Sequence, residues 1–209
     1  DLCANCKFEE VAFLILNGEL PNNKQLKDFE KQEKKDRNLS KNLIDAIKKI
    51  PKKAHPMDVA RTAVSIMGLE DKETKDNSSK ANMRKVMRIF AKTPVALAAF
   101  YRTRKGKKII PPKKTLSFSE NFFQMCFGKV PNKEIVKAFD VSLILYAEHS
   151  FNVSTFTART ITSSLSDIHG AITGAIASLK GPLHGGANEE VMHMMRKIKK
   201  PENAYKWIN

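Results

Sequence analysis

Residues 82–104, NMRKVMRIFAKTPVALAAFYRTR, decide the fold class. Their apolar side chains recur at the three-to-four spacing of a helix and not in the alternation of a strand. One long helix is predicted, bent at Pro94, which lacks a donor and crowds the preceding turn. The same periodicity governs the chain on both sides, and almost no segment alternates cleanly over a strand length.

Upstream, Glu70 to Lys80 is a charged linker containing Asn and Ser. Before it, His55-Pro56-Met57-Asp58 opens a helix with Pro in the first turn and Asp58 near the positive end of the dipole. That helix is predicted to run to Met67 and stop at Gly68. Leu39 to Ile50 forms another, with Leu43, Ile44 and Ile47 as its apolar face, ended by Pro51. Asn22 or Asn23 caps a polar helix toward Lys35. Phe8 to Asn17 carries Val11, Leu14 and Ile15 after an acidic first turn, and stops at Gly18 and Pro21.

Downstream, Lys105 to Lys114 holds Gly106, Pro111, Pro112 and five lysines, and reads as a loop that either connects or contacts phosphate. Ser119 to Phe127 is a short helix closed by Gly128 and Pro131. Asn132 caps a long helix to about Tyr146, and its apolar run from Val141 to Leu145 predicts deep burial. Val153 to Leu165 and Asp167 to Leu179 are rich in Ala, Gly, Ser and Thr. Such residues let helix axes approach closely, which predicts a place in the packed centre. A turn from Lys180 to Gly186 leads to a helix from Ala187 to about Lys197, and Pro201 starts a last short one. The fold class is all-α, with ten or more helices and no internal repeat.

The chain has 209 residues, 42% hydrophobic and 28% charged, a composition that excludes collagen-like and wholly disordered classes. Its longest apolar runs, Val95 to Phe100 and Leu143 to Ala147, fall far short of the ~20 residues that span a bilayer. No membrane span and no secretory signal are expected. Three cysteines in a chain of this size favour a reducing compartment. Cys3-Ala4-Asn5-Cys6 has the spacing of half a zinc site, but no second pair follows and no metal is expected.

A net charge of +15 opens nucleic acid, an anionic membrane or a polyanionic cofactor as partners. Lys outnumbers Arg 29 to 8 and is spread from Lys7 to Lys206, which fits a solvated surface better than a base-reading groove.

Two segments carry candidate chemistry. In Gly181-Pro182-Leu183-His184-Gly185-Gly186-Ala187-Asn188-Glu189, a histidine lies among three glycines just before a helix. The backbone can come close to a ligand there, and the positive dipole end favours a neutral imidazole able to donate to a carbonyl. A glycine-rich turn holding a structural His fits equally well. In Glu148-His149-Ser150-Phe151-Asn152, His149 ends a helix where the negative dipole end favours a cation, and Asn152 follows as donor or cap. That pair would hold a carboxylate, unless His149 is simply a cap or ion-pair partner. Among the other histidines, His55 reads as an exposed turn residue, and His169 and His193 as packing residues. No His-Glu-x-x-His, Gly-x-Ser-x-Gly or P-loop pattern occurs.

Together with Ser154 to Arg159 and Ser166-Asp167-Ile168, these segments resemble citrate synthase, especially its short bacterial forms and the 2-methylcitrate synthases. The likeness extends back through Ser119-Glu120-Asn121-Phe122, His55-Pro56-Met57-Asp58-Val59, Gly18-Glu19-Leu20-Pro21 and Phe8-Glu9-Glu10-Val11-Ala12, covering nearly the whole chain in order. It implies an acyltransferase that joins oxaloacetate to acetyl-CoA or propionyl-CoA and then hydrolyses the thioester. It also implies that His184 is catalytic, hydrogen-bonding the thioester carbonyl, and that His149 and Asn152 hold oxaloacetate. No cofactor is permanently bound, acyl-CoA being a co-substrate, and the implied assembly is a homodimer with neither nucleic acid nor membrane as partner.

The resemblance implies residues 1–186 as a large helical domain, partial at both ends, and 187–209 as the beginning of a small domain. The 25 residues after His184 hold one His, no Asp and only Arg196, so the family's second catalytic His, its base and its substrate arginines have no counterparts here. The 209-residue piece is expected to be inactive alone. A bacterial cytoplasm is the expected location, or a mitochondrial matrix if a leader has been removed. The competing class is a basic all-α binding module for nucleic acid or anionic surfaces, without catalysis.

Overall fold

Ser, Asn and Asp side chains set most of the helix starts, each accepting a backbone N–H that the first turn would otherwise leave unpaired, worth about 1 kcal/mol apiece. In the computed structural model, which describes residues 1–208, the α-helices are α1 (Leu2–Asn5), α2 (Phe8–Asn17), α3 (Asn23–Asp36), α4 (Lys41–Lys49), α5 (Pro56–Glu70), α6 (Ser79–Arg104), α7 (Phe118–Phe127), α8 (Lys133–Tyr146), α9 (Val153–Ser163), α10 (Ile168–Leu179), α11 (Gly186–Ile198) and α12 (Ala204–Ile208). A 3-10 turn, Pro201–Asn203, precedes the last, and no strand occurs among the described residues. Asn22, Ser40, Ser78, Ser117, Asn132, Asn152 and Asp167 are the capping side chains. Gly18 and Gly128 end α2 and α7 in the left-handed region, at φ of 87° and 82°, where a Cβ would be strained.

Helix α6 is the axis of the packing. Its Met87 and Phe90 meet α2, α3, α7 and α8 through Phe8, Phe13, Phe29, Phe118 and Ile144. Phe90 stacks on Phe118 with ring centroids 4.9 Å apart. One to three turns on, Ala96, Ala99 and Phe100 pack with Leu43 and Ile47 of α4 and Val59, Ala63 and Met67 of α5. Val95 and Ala98 meet Met125 and Cys126 of α7. Pro94 is accommodated inside the helix.

Charged groups are buried only with partners. Arg37 and Glu33 are each 1% exposed and join twice, Nε to Oε1 at 2.8 Å and Nη2 to Oε2 at 2.6 Å. Arg37 Nη1 also donates to the carbonyls of Lys113 and Leu116, at 2.7 and 3.0 Å, and so fastens the 105–116 loop to α3. Glu9 accepts from the N–H of Phe118, and Asp140 from the N–H of Phe8 and the hydroxyl of Ser119, so α7 and α2 receive carboxylates at their positive ends.

Four expectations are corrected. Gly68 does not end α5, which continues to Glu70; a Cβ on Gly68 would lie 2.8 Å from the Cβ of His169, so the glycine serves a close helix crossing. The long helix begins at Ser79, capped by Ser78, and not at Asn82. Of the run Val141 to Leu145 only Ile144 is fully buried; Val141, Ser142 and Leu143 are half-buried, and Leu145 is 60% exposed because the helix turns it away from the core. Helices α9 and α10 do approach closely: a Cβ on Gly174 would come 2.3 Å from Cδ1 of Ile161. They are not central, however. No residue of α9 is buried, and α10 buries only His169 and Ala171, against α5.

Candidate functional site

Helices α9 and α10 form an antiparallel hairpin, with Ile161 beside Gly174 near its middle and Ser154 beside His184 at its open end. Helix α5 runs antiparallel to α10 on the other flank, placing Gly68 beside His169 and Asp58 beside Lys180. The start of α5, the start of α9 and the end of α10 therefore lie at one end of the molecule. The end of α8 and the first turn of α11 complete a cavity of about 580 Å³ there, within the usual range for a small-molecule site.

His149, Asn152 and His184 all line this cavity. His184 is half-buried, and its Nε2 lies 2.7 Å from Oγ of Ser154. Its turn is shaped by the amide N–H groups of His184 and Gly186, which both donate to the carbonyl of Gly181, at 3.0 and 3.1 Å. Asn152 caps α9 by accepting the N–H of Thr155 at 2.9 Å, which leaves its amide NH2 as a donor. His149 is exposed and meets the Tyr146 ring edge to face, with centroids 6.0 Å apart. Between them Ser150 adopts the left-handed region at φ 52°, stabilised by the Glu148 carboxylate that accepts its N–H.

The glycines of the turn are required by crowding. A Cβ on Gly185 would lie 2.5 Å from the carbonyl oxygen of Leu179, and one on Gly186 would lie 2.9 Å from that of Gly181. Neither oxygen can move without the backbone. Gly185→Ala should lower stability by about 1–3 kcal/mol through overpacking, read as a drop in the urea midpoint. A neutral result would mean that the turn is softer than this contact implies.

His55, expected as an exposed turn residue, is instead a member of the site. Its Nδ1 accepts the N–H of Met57, capping α5, and its Nε2 faces Oε2 of Glu189 at 3.1 Å. That hydrogen bond holds the Glu189 carboxyl below its ordinary range. Lys180 Nζ donates to both carboxylate oxygens of Asp58, at 3.0 and 2.7 Å, and lowers the Asp58 carboxyl likewise. Ser154 and Lys180 carry no local mark of a site residue, since only the pairing of the helices brings them here.

Of the remaining histidines, His169 lies away from this chemistry and His193 stands at its edge. His169 is 2% exposed beneath Gly68, and burial keeps it below the ordinary imidazole range despite Asp71 and Asp167 nearby. His193, expected as a packing residue, is exposed on α11, 3.9 Å from Glu189. No cluster of three metal-binding side chains occurs, and no helix is long and apolar enough to cross a membrane, among the described residues.

A family model, the citrate synthase C-terminal domain, matches residues 1–209. The chain is 52% identical over 215 residues to 2-methylcitrate synthase 2 of Corynebacterium glutamicum, covering 100% of this chain and 56% of that protein. It is 48% identical over 209 residues to a citrate synthase of Mycolicibacterium smegmatis, covering 100% and 56%. The chain thus spans about half the length of the curated relatives it matches. Among solved structures, the ternary complex of carboxymethyl coenzyme A and oxaloacetate with citrate synthase from Thermoplasma acidophilum superposes with a TM-score of 0.89. That match is 29% identical and covers 100% of this chain and 54% of that one.

Proposed function

The chain belongs to the citrate synthase family, and from that premise we propose that the whole protein condenses oxaloacetate with acetyl-CoA or propionyl-CoA, releasing citrate or 2-methylcitrate and CoA. The observation that carries this is the hydrogen bond between Ser154 and His184 on a cavity shared with His149 and Asn152. With the Ser154 hydroxyl donating to Nε2, a neutral His184 imidazole holds its proton on Nδ1. That N–H donates to the thioester carbonyl oxygen, where negative charge grows as a base of the whole protein, not supplied by these residues, takes the α-proton. The α-carbon then forms a bond to the ketone carbon of oxaloacetate, whose oxygen takes up a proton. Water next cleaves the thioester, giving a carboxylate and the free thiol. His149 and the Asn152 amide hold the oxaloacetate.

Residues 1–186 correspond in this proposal to the large domain and 187–209 to the start of a small one. The assembly is a homodimer, which the exposed apolar side chains Leu145, Tyr146, Phe151 and Phe156 support. A bacterial cytoplasm, with a place in the tricarboxylic acid cycle or propionate metabolism, completes the proposal.

The test is thiol release by the full-length protein with oxaloacetate and either acyl-CoA. Release that requires oxaloacetate is expected, and the ratio of the two rates names the product. One methylene in an apolar pocket is worth only ~1–3 kcal/mol, so both acyl groups should react. A folded protein that releases no thiol would overturn the proposal, and steeply salt-dependent polyanion binding would replace it with the binding module.

A further inference from the structure

We infer that the first turn of α5 acts as a clamp that positions His184, gripping the glycine-rich turn on both sides through Asp58–Lys180 and His55–Glu189. The inference deepens the proposed function and rests on it for the role of His184.

The turn needs such a restraint. From Gly181 to Gly186 it contains three glycines, each with wide conformational freedom. Between residues of the turn the backbone bonds are the two that converge on the Gly181 carbonyl, while the His184 and Gly185 carbonyls accept from Ala187 and Asn188, so the turn moves with the start of α11. The bond from Ser154 fixes the far end of the imidazole, and the place of the backbone then depends on what holds the start of α11.

Helix α5 supplies what is missing. Lys180 is the residue just before the turn, and its ammonium meets Asp58 at 2.7 Å, in the first turn of α5. Glu189 lies in the first turn of α11, just after the glycines, and its carboxylate meets His55 at the cap of α5. The two contacts start from positions three residues apart on one helix end and close on opposite ends of the same turn.

The chemistry of His55 makes its arm directional. Because Nδ1 accepts the N–H of Met57, the neutral ring carries its proton on Nε2 and donates it to Glu189. One side chain thereby starts α5 and fastens α11 to it. His55, Asp58, Lys180 and Glu189 are assigned as positioning residues, which act through the place they give His184.

The test uses the full-length protein with Lys180→Ala, Glu189→Ala and the double variant, none of which disturbs the cap of α5. Amide hydrogen exchange across residues 183–186 should quicken about 10-fold in the double variant, as the turn opens locally. The kcat should fall about 10-fold with KM for oxaloacetate within about twofold, because misplacing a reacting group costs rate before binding. Lys180→Arg, which keeps a cation for Asp58, should keep both exchange protection and kcat, a retention that a need for the lysine itself would not allow. Unchanged exchange in the double variant overturns the clamp, whatever the activity. Exchange in Lys180→Arg as fast as in Lys180→Ala overturns the Asp58 arm. Faster exchange in a protein whose unaltered form releases no thiol leaves the clamp standing and removes the condensation proposal alone.

Discussion

His184→Ala should lower kcat for oxaloacetate-dependent thiol release by about 10²–10³-fold, the loss typical when one preorganised donor to a developing oxyanion is removed. The KM for acyl-CoA should change little. The ground-state carbonyl is a weak acceptor, and the bond gains strength only as charge moves onto the oxygen, so its loss falls on the transition state. Ser154→Ala leaves the imidazole in place without its 2.7 Å partner, so a smaller loss, about 10-fold, is expected. Steady-state kinetics of the full-length protein measures both. A His184→Ala protein that keeps more than about a tenth of its kcat would remove the oxyanion role from this histidine.

The largest stability effect is expected at Arg37. Arg37→Ala strips the Glu33 carboxylate of both its bonds while leaving it 1% exposed, and it frees the Lys113 and Leu116 carbonyls of the adjoining loop. Removing one member of a buried pair costs about 3–5 kcal/mol, mostly the penalty of the stranded charge. Urea unfolding of the 209-residue chain should show that loss as a lower midpoint with little change in slope. The double variant Arg37→Met with Glu33→Leu should recover most of it, since no buried charge remains. Recovery should stop short of complete because the two loop carbonyls must then rely on water. A loss below about 1 kcal/mol for Arg37→Ala would mean that Glu33 is neutralised or reaches solvent.

Local signals explain which parts of the fold are legible in the sequence. The end of helix α2 is legible because its stop is written into Gly18, whose backbone takes the left-handed region. Asn132, Asn152 and Asp167 announce their helices by the caps they form. Gly68 misleads because its reason is a partner 101 positions away: the glycine makes room for His169 and does not end a helix. The apolar run in α8 misleads for the opposite reason, since hydrophobicity predicts that a face is covered and cannot say by what.

The candidate site divides along the same line. His184 stands out by its glycines and His149 by its place at a helix end, both visible within ten residues of sequence. Ser154, Lys180 and His55 have no such local mark. They matter because α9, α10 and α5 run antiparallel and in register, which no single segment records.

That register has a consequence for how the family's sequences can drift. Helices α9 and α10 are 11 and 12 residues long, and the chain leaves the cavity along one and comes back along the other. Away from Ser154, the buried His169 and Ala171, and the crossing at Gly174, their side chains can be exchanged with little effect. Inserting or deleting one residue is different, because it shifts the helix end by about 1.5 Å and swings it by about 100°. His184 would then arrive on the wrong side of Ser154. The number of residues in the hairpin is therefore itself a functional quantity, and an indel there is expected to do more harm than most substitutions.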